Sequence, residues 1–196
     1  MKAIIMAGGF GTRLRPLTVN IPKPMVPMAN KPMLEHIVRL LKENGFEDLL
    51  VMLYYQPEVI IRHFGDGAAF GVQIEYLRPP SDLGTAGCVK FAEKHLDDTF
   101  LVISGDLLTD FNLKAALAAH RKKKAAASLV LTRSANPLAF GVVIVNKEGR
   151  VLRFLEKPSW GEVFSDTINT GIYLLEPSVL REIPMAPLSV SLAQFH

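Results

Sequence analysis

Residues 6–25, MAGGFGTRLRPLTVNIPKPM, bring Gly8, Gly9, Gly11, Arg13, Arg15 and Lys23 together directly behind a short apolar run. Glycines have no Cβ, so such a loop can take positive φ and turn its backbone N–H groups toward an anion. The planar fork of Arg13 suits phosphate oxygens. Lys23 stands between Pro22 and Pro24, which stiffen the chain and lower the ordering cost of presenting an ammonium group. The stretch therefore predicts a phosphate site of neither common type. A dinucleotide fingerprint would need glycine where Leu14 stands, and a Walker A loop would need Gly-Lys-Ser/Thr where Arg13 and Leu14 follow Thr12. Further on, Ser104-Gly105-Asp106 closes an apolar FLVIS run. A carboxylate beside a polyphosphate calls for an intervening cation, and Mg²⁺ takes one or two carboxylates together with phosphate oxygens.

The elements that must position these residues alternate. KAIIMA precedes the glycine loop, and KPMLEHIVRLLKENGF follows it as an amphipathic helix with Pro32 at its first position and Gly45 as its stop. LLVMLYY (49–55) is apolar without alternation, as a strand covered on both faces should be. A short helix at 57–64, VQIEYL, a helix in TAGCVKFAEKHL, FLVIS and a helix over about 112–124 continue the pattern. SLVLT, GVVIV, VLRFLEK and GIYLLE make the second half strand-rich. The expected fold class is α/β: a Rossmann-like, mostly parallel mixed sheet with helices on both faces, plus a smaller strand-rich part added as a β layer or lid.

Composition agrees with one soluble domain: 196 residues, 49% hydrophobic and 21% charged, with a net charge of +3. The one basic cluster, Arg121 to Lys124, has no interleaved aromatic residues and reads as cations in the last turn of a helix, so no nucleic-acid partner is expected. Cys88 is the single cysteine and is expected to be a small buried hydrophobe. The amino terminus lacks a signal-peptide core and no run of eighteen apolar residues occurs, so the expectation is a cytoplasmic protein without a membrane partner. The histidines lack metal-ligand spacing and are expected on the surface or on helix faces.

GGFGTRLRPLT and PKPM are followed in order by LGTAG (83–87), SGD (104–106), FGVV (140–143), FLEKP (154–158) and NTGIY (169–173). In this the chain resembles the nucleotidyltransferase domain of the sugar-1-phosphate nucleotidylyltransferases, most of all its mannose-1-phosphate guanylyltransferase branch. The resemblance implies transfer of a nucleotidyl group from a nucleoside triphosphate to a sugar 1-phosphate with release of pyrophosphate, GTP and mannose 1-phosphate being the expected pair. It implies that Gly8, Gly9, Gly11, Thr12 and Arg13 hold the triphosphate, that Arg13 and Lys23 are catalytic, and that Asp106 holds Mg²⁺. Gly84, Thr85 and Gly87 would face the base or ribose. Gly141, Glu156, Lys157, Asn169 and Gly171 would take the sugar phosphate. Trp160 is read as a lid or subunit contact, and a homo-oligomer is compatible with the sequence.

The resemblance covers residues 1–184, which are expected to form one nucleotidyltransferase domain, incomplete at its C-terminal end. The tail MAPLSVSLAQFH (185–196) departs from the family pattern, is read as aberrant, and omits a second metal-binding aspartate, so weak turnover is expected. The alternatives are glucose 1-phosphate with another triphosphate, a nucleotide- or sugar-binding chain without catalysis, and a dinucleotide-dependent oxidoreductase. The last lacks both the third glycine and an evident ribose-binding acid.

Overall fold

The computed structural model describes residues 1–156, 158–159, 161 and 165–184. Its strands are β1 (Lys2–Met6), β2 (Pro27–Met28), β3 (Lys31–Pro32), β4 (Asp48–Met52), β5 (Gln73–Leu77), β6 (Phe100–Ser104), β7 (Ala127–Arg133), β8 (Gly141–Val145), β9 (Val151–Glu156) and β10 (Thr167–Leu175). Its helices are α1 (Met33–Glu43), α2 (Pro57–Phe64), α3 (Gly84–Phe91) and α4 (Leu113–Lys123). Among the described residues no helix is long and apolar enough to cross a membrane.

One mixed sheet runs β5-β4-β1-β6-β10-β8-β9, with β7 paired to β10 off that path. The four strands from the first half are mutually parallel, and β10 joins β6 antiparallel. The strand-rich second half joins this same mixed sheet. β10 supplies the continuity: its N-terminal half pairs with β7 and β8, and its C-terminal half with β6 and β7.

Both faces of β1, β4 and β6 are covered, which is why their sequences lack polar alternation, whereas edge strand β5 alternates and exposes Gln73 and Glu75. Ala3, Ile5, Leu49, Val51, Leu101 and Ile103 pack with Leu34, Ile37, Val38 and Leu41 of α1, Ile60 and Phe64 of α2, and Leu113 of α4. Ile4, Leu50, Met52, Phe100 and Val102 point the other way, onto Ala86 and Val89 of α3 and onto Leu180.

Helix ends follow local chemistry. Gly45, at φ 81°, ends α1, and the Phe46 N–H donates back to the Leu41 carbonyl at 2.9 Å. Asn112 caps α4 by accepting from the Ala115 N–H at 2.9 Å, and Arg121, Lys122 and Lys123 fill its last turn. Pro32 differs from expectation. It precedes the helix in extended backbone (ψ 143°), because Lys31 and Pro32 pair with Pro27 and Met28 in a small hairpin just before α1.

His120 lies on the inward face of α4 and is 1% exposed. Its Nδ1 lies 2.8 Å from Ser128 Oγ and its Nε2 3.0 Å from Glu176 Oε1, which also accepts from Thr99 Oγ1 at 2.7 Å. This network closes the sheet edge opposite the glycine loop, where β6 begins and β10 ends. The Thr99 hydrogen bond, followed by His120, holds the Glu176 carboxyl below its ordinary 4.5 despite partial burial. At the other end of α1, Glu35 is raised by burial but lowered more by Arg39, His63 and Lys31, so its net shift is also downward.

Both carboxylates thus stabilise the fold fully above pH 4.5, and that stability is lost as pH falls through their lower folded-state values. Urea unfolding from pH 7 to pH 3 is expected to show stability falling below about pH 4.5, with a shallower fall in Glu176→Gln. His120→Ala should cost about 1–3 kcal/mol at pH 7 by leaving Ser128 and Glu176 without their partner.

Candidate active site

β1 and β6 are adjacent and parallel, with Met6 opposite Ser104, so the loops that follow them leave the same edge of the sheet. The Gly105 N–H donates to the Met6 carbonyl at 2.8 Å, which holds the two loops together. This is the carboxyl edge, where open α/β sheets bind ligands. Here Met6 to Gly9, Lys23, Met52 to Tyr54, Pro79, Asp82, Gly84, Thr85, Cys88, Ser104 and Asp106 line an open cleft of about 230 Å³.

Lys23 and Asp106, 83 positions apart in sequence, form an ion pair in which the ammonium donates to Asp106 Oδ2. Ser104 Oγ donates to the other oxygen, Oδ1, at 2.7 Å. Burial pushes the Asp106 carboxyl up, but the hydrogen bonds from Lys23 and Ser104 and the lysine charge outweigh it, leaving the group below its ordinary value and ionised. Pro22 and Pro24 are buried on either side of Lys23, which itself is only partly covered.

Gly11 holds this arrangement from the loop side. Its φ is 63°, and a Cβ there would meet the Lys23 and Thr18 side chains at 3.0 Å. Thr18 is buried and donates through Oγ1 to the Gly11 carbonyl at 2.7 Å. Thr12 and Arg13 continue the loop in a short helical turn and are exposed, outside the cleft lining. Phe10 packs on Tyr54 and Tyr55, with ring centroids 5.7 and 5.4 Å away, and this ties the loop to the end of β4.

Gly84 and Thr85 line the cleft from the start of α3, whereas Gly87 faces Leu83, whose Cβ lies 2.9 Å from where a Gly87 Cβ would stand. Cys88 corrects the sequence expectation. It is half-buried and lines the cleft, and burial together with the Asp82 charge raises its thiol to about 11. At that value it stays a protonated thiol at neutral pH.

The sugar-side candidates gather on the antiparallel strands. Gly141 pairs with Glu156 across β8 and β9, and a Cβ on Gly141 would stand 2.4 Å from the Phe154 ring and 3.1 Å from Glu156 Oε2. Asn169 donates through Nδ2 to the Tyr173 hydroxyl at 2.6 Å and accepts from the Gly171 N–H at 3.1 Å. Gly171, at φ 80° in the irregular part of β10, approaches Ser104, so this strand reaches the residue that steadies Asp106. Lys157, Trp160 and the tail 185–196 lie outside the described residues.

Among the described residues no group of three or more His, Cys, Asp or Glu side chains could enclose a metal ion. Mg²⁺ does not need one, since it keeps waters and accepts one carboxylate plus phosphate oxygens from its substrate. The ionised Asp106, with the Ser104 hydroxyl beside it at the mouth of the glycine loop, fits that use.

The sequence model of the nucleotidyl transferase family matches residues 2–190. The chain belongs to this family. It is 40% identical to mannose-1-phosphate guanylyltransferase 1 of Arabidopsis thaliana, over all of this chain and 55% of that protein. To the UTP-glucose-1-phosphate uridylyltransferase of Synechocystis sp. it is 41% identical, over 94% of this chain and 51% of that protein. The chain thus spans about half the length of these curated relatives. Among solved structures, HddC from Yersinia pseudotuberculosis complexed with GMP-PN superposes with a TM-score of 0.84 at 25% identity, covering 99% of this chain and 84% of that one. A Bacillus anthracis protein described as a glucose-1-phosphate thymidylyltransferase, solved with sucrose, gives a TM-score of 0.90 at 28% identity, covering 98% and 80%.

Within this family member the Gly11 conformation is a direct test of loop geometry. Gly11→Ala should lower stability by about 1–3 kcal/mol through strain at positive φ and weaken whatever nucleotide binding the loop supports by moving Lys23. Denaturant unfolding and nucleotide titration read the two effects separately, and unchanged affinity would show that Lys23 does not depend on this contact.

Proposed function

We propose that the chain carries the nucleotidyl-transfer site of a sugar-1-phosphate nucleotidylyltransferase, with GTP and mannose 1-phosphate giving GDP-mannose and pyrophosphate. The observation that carries this reading is the convergence of the glycine loop, Lys23 and Asp106 on one cleft, with the Gly171 turn of β10 beside Ser104. In the reaction an oxygen of the sugar phosphate attacks the α-phosphorus. The bond from that phosphorus to the bridging oxygen breaks, and pyrophosphate leaves with the electron pair.

Most of the work is then positioning and charge neutralisation. The Gly8 and Gly9 backbone would receive the triphosphate. Arg13, exposed at the rim, would close on the departing pyrophosphate. Lys23 would turn its ammonium from Asp106 to the phosphates at the reacting centre, freeing the carboxylate. Asp106 and Ser104 would hold Mg²⁺, which supplies neutralisation of the phosphate charge when bound. Gly84 and Thr85 would face the nucleoside. Glu156 and Asn169 would accept and donate hydrogen bonds to sugar hydroxyls, Gly141 admitting the Phe154 ring beside Glu156, with Lys157 pairing to the sugar phosphate. The uridylyltransferase relative, as similar as the guanylyltransferases, supports UTP and glucose 1-phosphate as the second reading.

Pyrophosphate release should be measured over four triphosphates against mannose, glucose and N-acetylglucosamine 1-phosphates, with Mg²⁺ or chelator. A magnesium-dependent signal with GTP and mannose 1-phosphate is expected, and a signal with UTP and glucose 1-phosphate alone would select the second reading. Lys23→Ala should cost about 10²–10³-fold in turnover, and Asp106→Asn should abolish the magnesium response. Silence from the 196-residue chain across the grid, with nucleotide still bound, would reduce the proposal to a binding role.

A further inference from the structure

Backbone contacts from glycines do not tell one base from another, because every base offers them a similar flat face. The cleft holds one carboxylate besides Asp106, and it lies away from the phosphate loop. Asp82 lines the cavity from the connection between β5 and α3. Its Oδ1 accepts from the Gly84 N–H at 3.0 Å, which fixes the orientation of the carboxylate while leaving Oδ2 uncommitted among the described residues. Its charge also contributes to raising the Cys88 thiol, so the carboxylate and the thiol face the same part of the cleft.

Sheet order measures the distance between the two ends of the cleft. The phosphate-binding loop follows β1, Asp106 follows β6, and the Asp82 connection follows β5, two strands from β1 on the other side. Neighbouring strands are about 4.8 Å apart, so about 10 Å separates the loop after β1 from the connection after β5. A nucleoside triphosphate with its phosphates at Gly8 and Lys23 spends that length on its ribose. Its base would then reach the part of the cleft lined by Leu53, Pro79 and Cys88, which offer apolar surface to a flat ring.

We infer that Asp82 reads the base, accepting hydrogen bonds from the N1–H and the exocyclic N2 amino group of guanine. The inference rests on the reading of this cleft as a nucleoside triphosphate site. A carboxylate only accepts hydrogen bonds, and guanine alone among the four common bases sets two donors side by side on that edge. Adenine would turn its N1 lone pair toward the negative charge. Uracil offers one N–H flanked by two carbonyl oxygens, so the carboxylate discriminates against it as well.

Equilibrium binding of GTP, ITP, UTP and dGTP to the full chain and to Asp82→Asn tests this apart from turnover. Asparagine keeps an oxygen for the Gly84 N–H and replaces the other by a donor, and an unchanged melting temperature would verify that the turn survives. GTP and dGTP should bind about 10–100-fold more weakly to the variant, the range for a lost charge-assisted hydrogen bond. ITP, lacking the N2 amino group, should lose less, and UTP, relieved of the carboxylate beside its carbonyl oxygens, should bind no more weakly. An equal loss for GTP, ITP and UTP that spares dGTP would reassign Asp82 to the ribose and overturn the inference. Unchanged GTP binding in Asp82→Asn beside a general loss in Asp82→Ala would reduce Asp82 to a turn-forming residue and overturn it too. No binding of any nucleotide to the unaltered chain would overturn the reading of the cleft itself, which the base preference of a binding-competent chain leaves standing.

Discussion

The parallel pairing of β1 with β6 decides where everything else can stand. Because Met6 lies opposite Ser104, the backbone leaves both strands at one level and on one edge, so a glycine loop and an aspartate about a hundred residues apart emerge side by side. Lys23 then reaches Asp106 from a segment stiffened by two buried prolines. Each partner's side chain keeps about 30% of its surface exposed, and an ion pair so open to solvent stabilises a fold by only about 0–1 kcal/mol. Its value lies in placement. It holds a cation and an anion at the point where a polyphosphate would compete for the first and a divalent metal for the second, so neither group must be built or desolvated when ligands arrive.

A second constraint is the change of direction at β10. Parallel strands need crossover helices and place their loops on one edge, whereas antiparallel strands bring side chains to that edge along their own length. β10 runs down beside β6, so Asn169 and Gly171 approach the end of β6 before the chain continues into the core at Ile172. The positive φ of Gly171 falls where the pairing register with β7 shifts. Besides β7, β10 meets β8 along its N-terminal part and β6 along its C-terminal part, and so ties the Gly141 and Glu156 pair to the sheet edge that carries the glycine loop.

What the sequence made legible was local. The glycine loop, the two prolines around Lys23 and the aspartate closing an apolar strand each have a physical meaning within a few residues, and strand order did the rest of their assembly. The unalternating runs at 49–55 and 100–104 revealed strands covered on both faces for the same reason. Cys88 and Pro32 were misplaced, and the burial of His120 was not legible, because their surroundings come from distant segments. Glu176, 56 positions away, gives His120 a reason to be buried. The loop after β5 opens a cleft beside Cys88, and Pro27 pairs with Pro32 to delay the start of α1.

Asp82 illustrates the same boundary from the other side. Between Ser81 and Leu83 an aspartate two residues before a glycine is an ordinary turn former, and its hydrogen bond to the Gly84 N–H satisfies that description completely. Only the sheet order adds a second meaning, since it sets this turn two strands from the glycine loop, on the side opposite β6. A turn that uses one carboxylate oxygen necessarily aims the other, and here both carboxylate and turn border the same cleft. Recognition of a base by such a residue costs little ordering, because the turn has already fixed the side chain before the ligand binds.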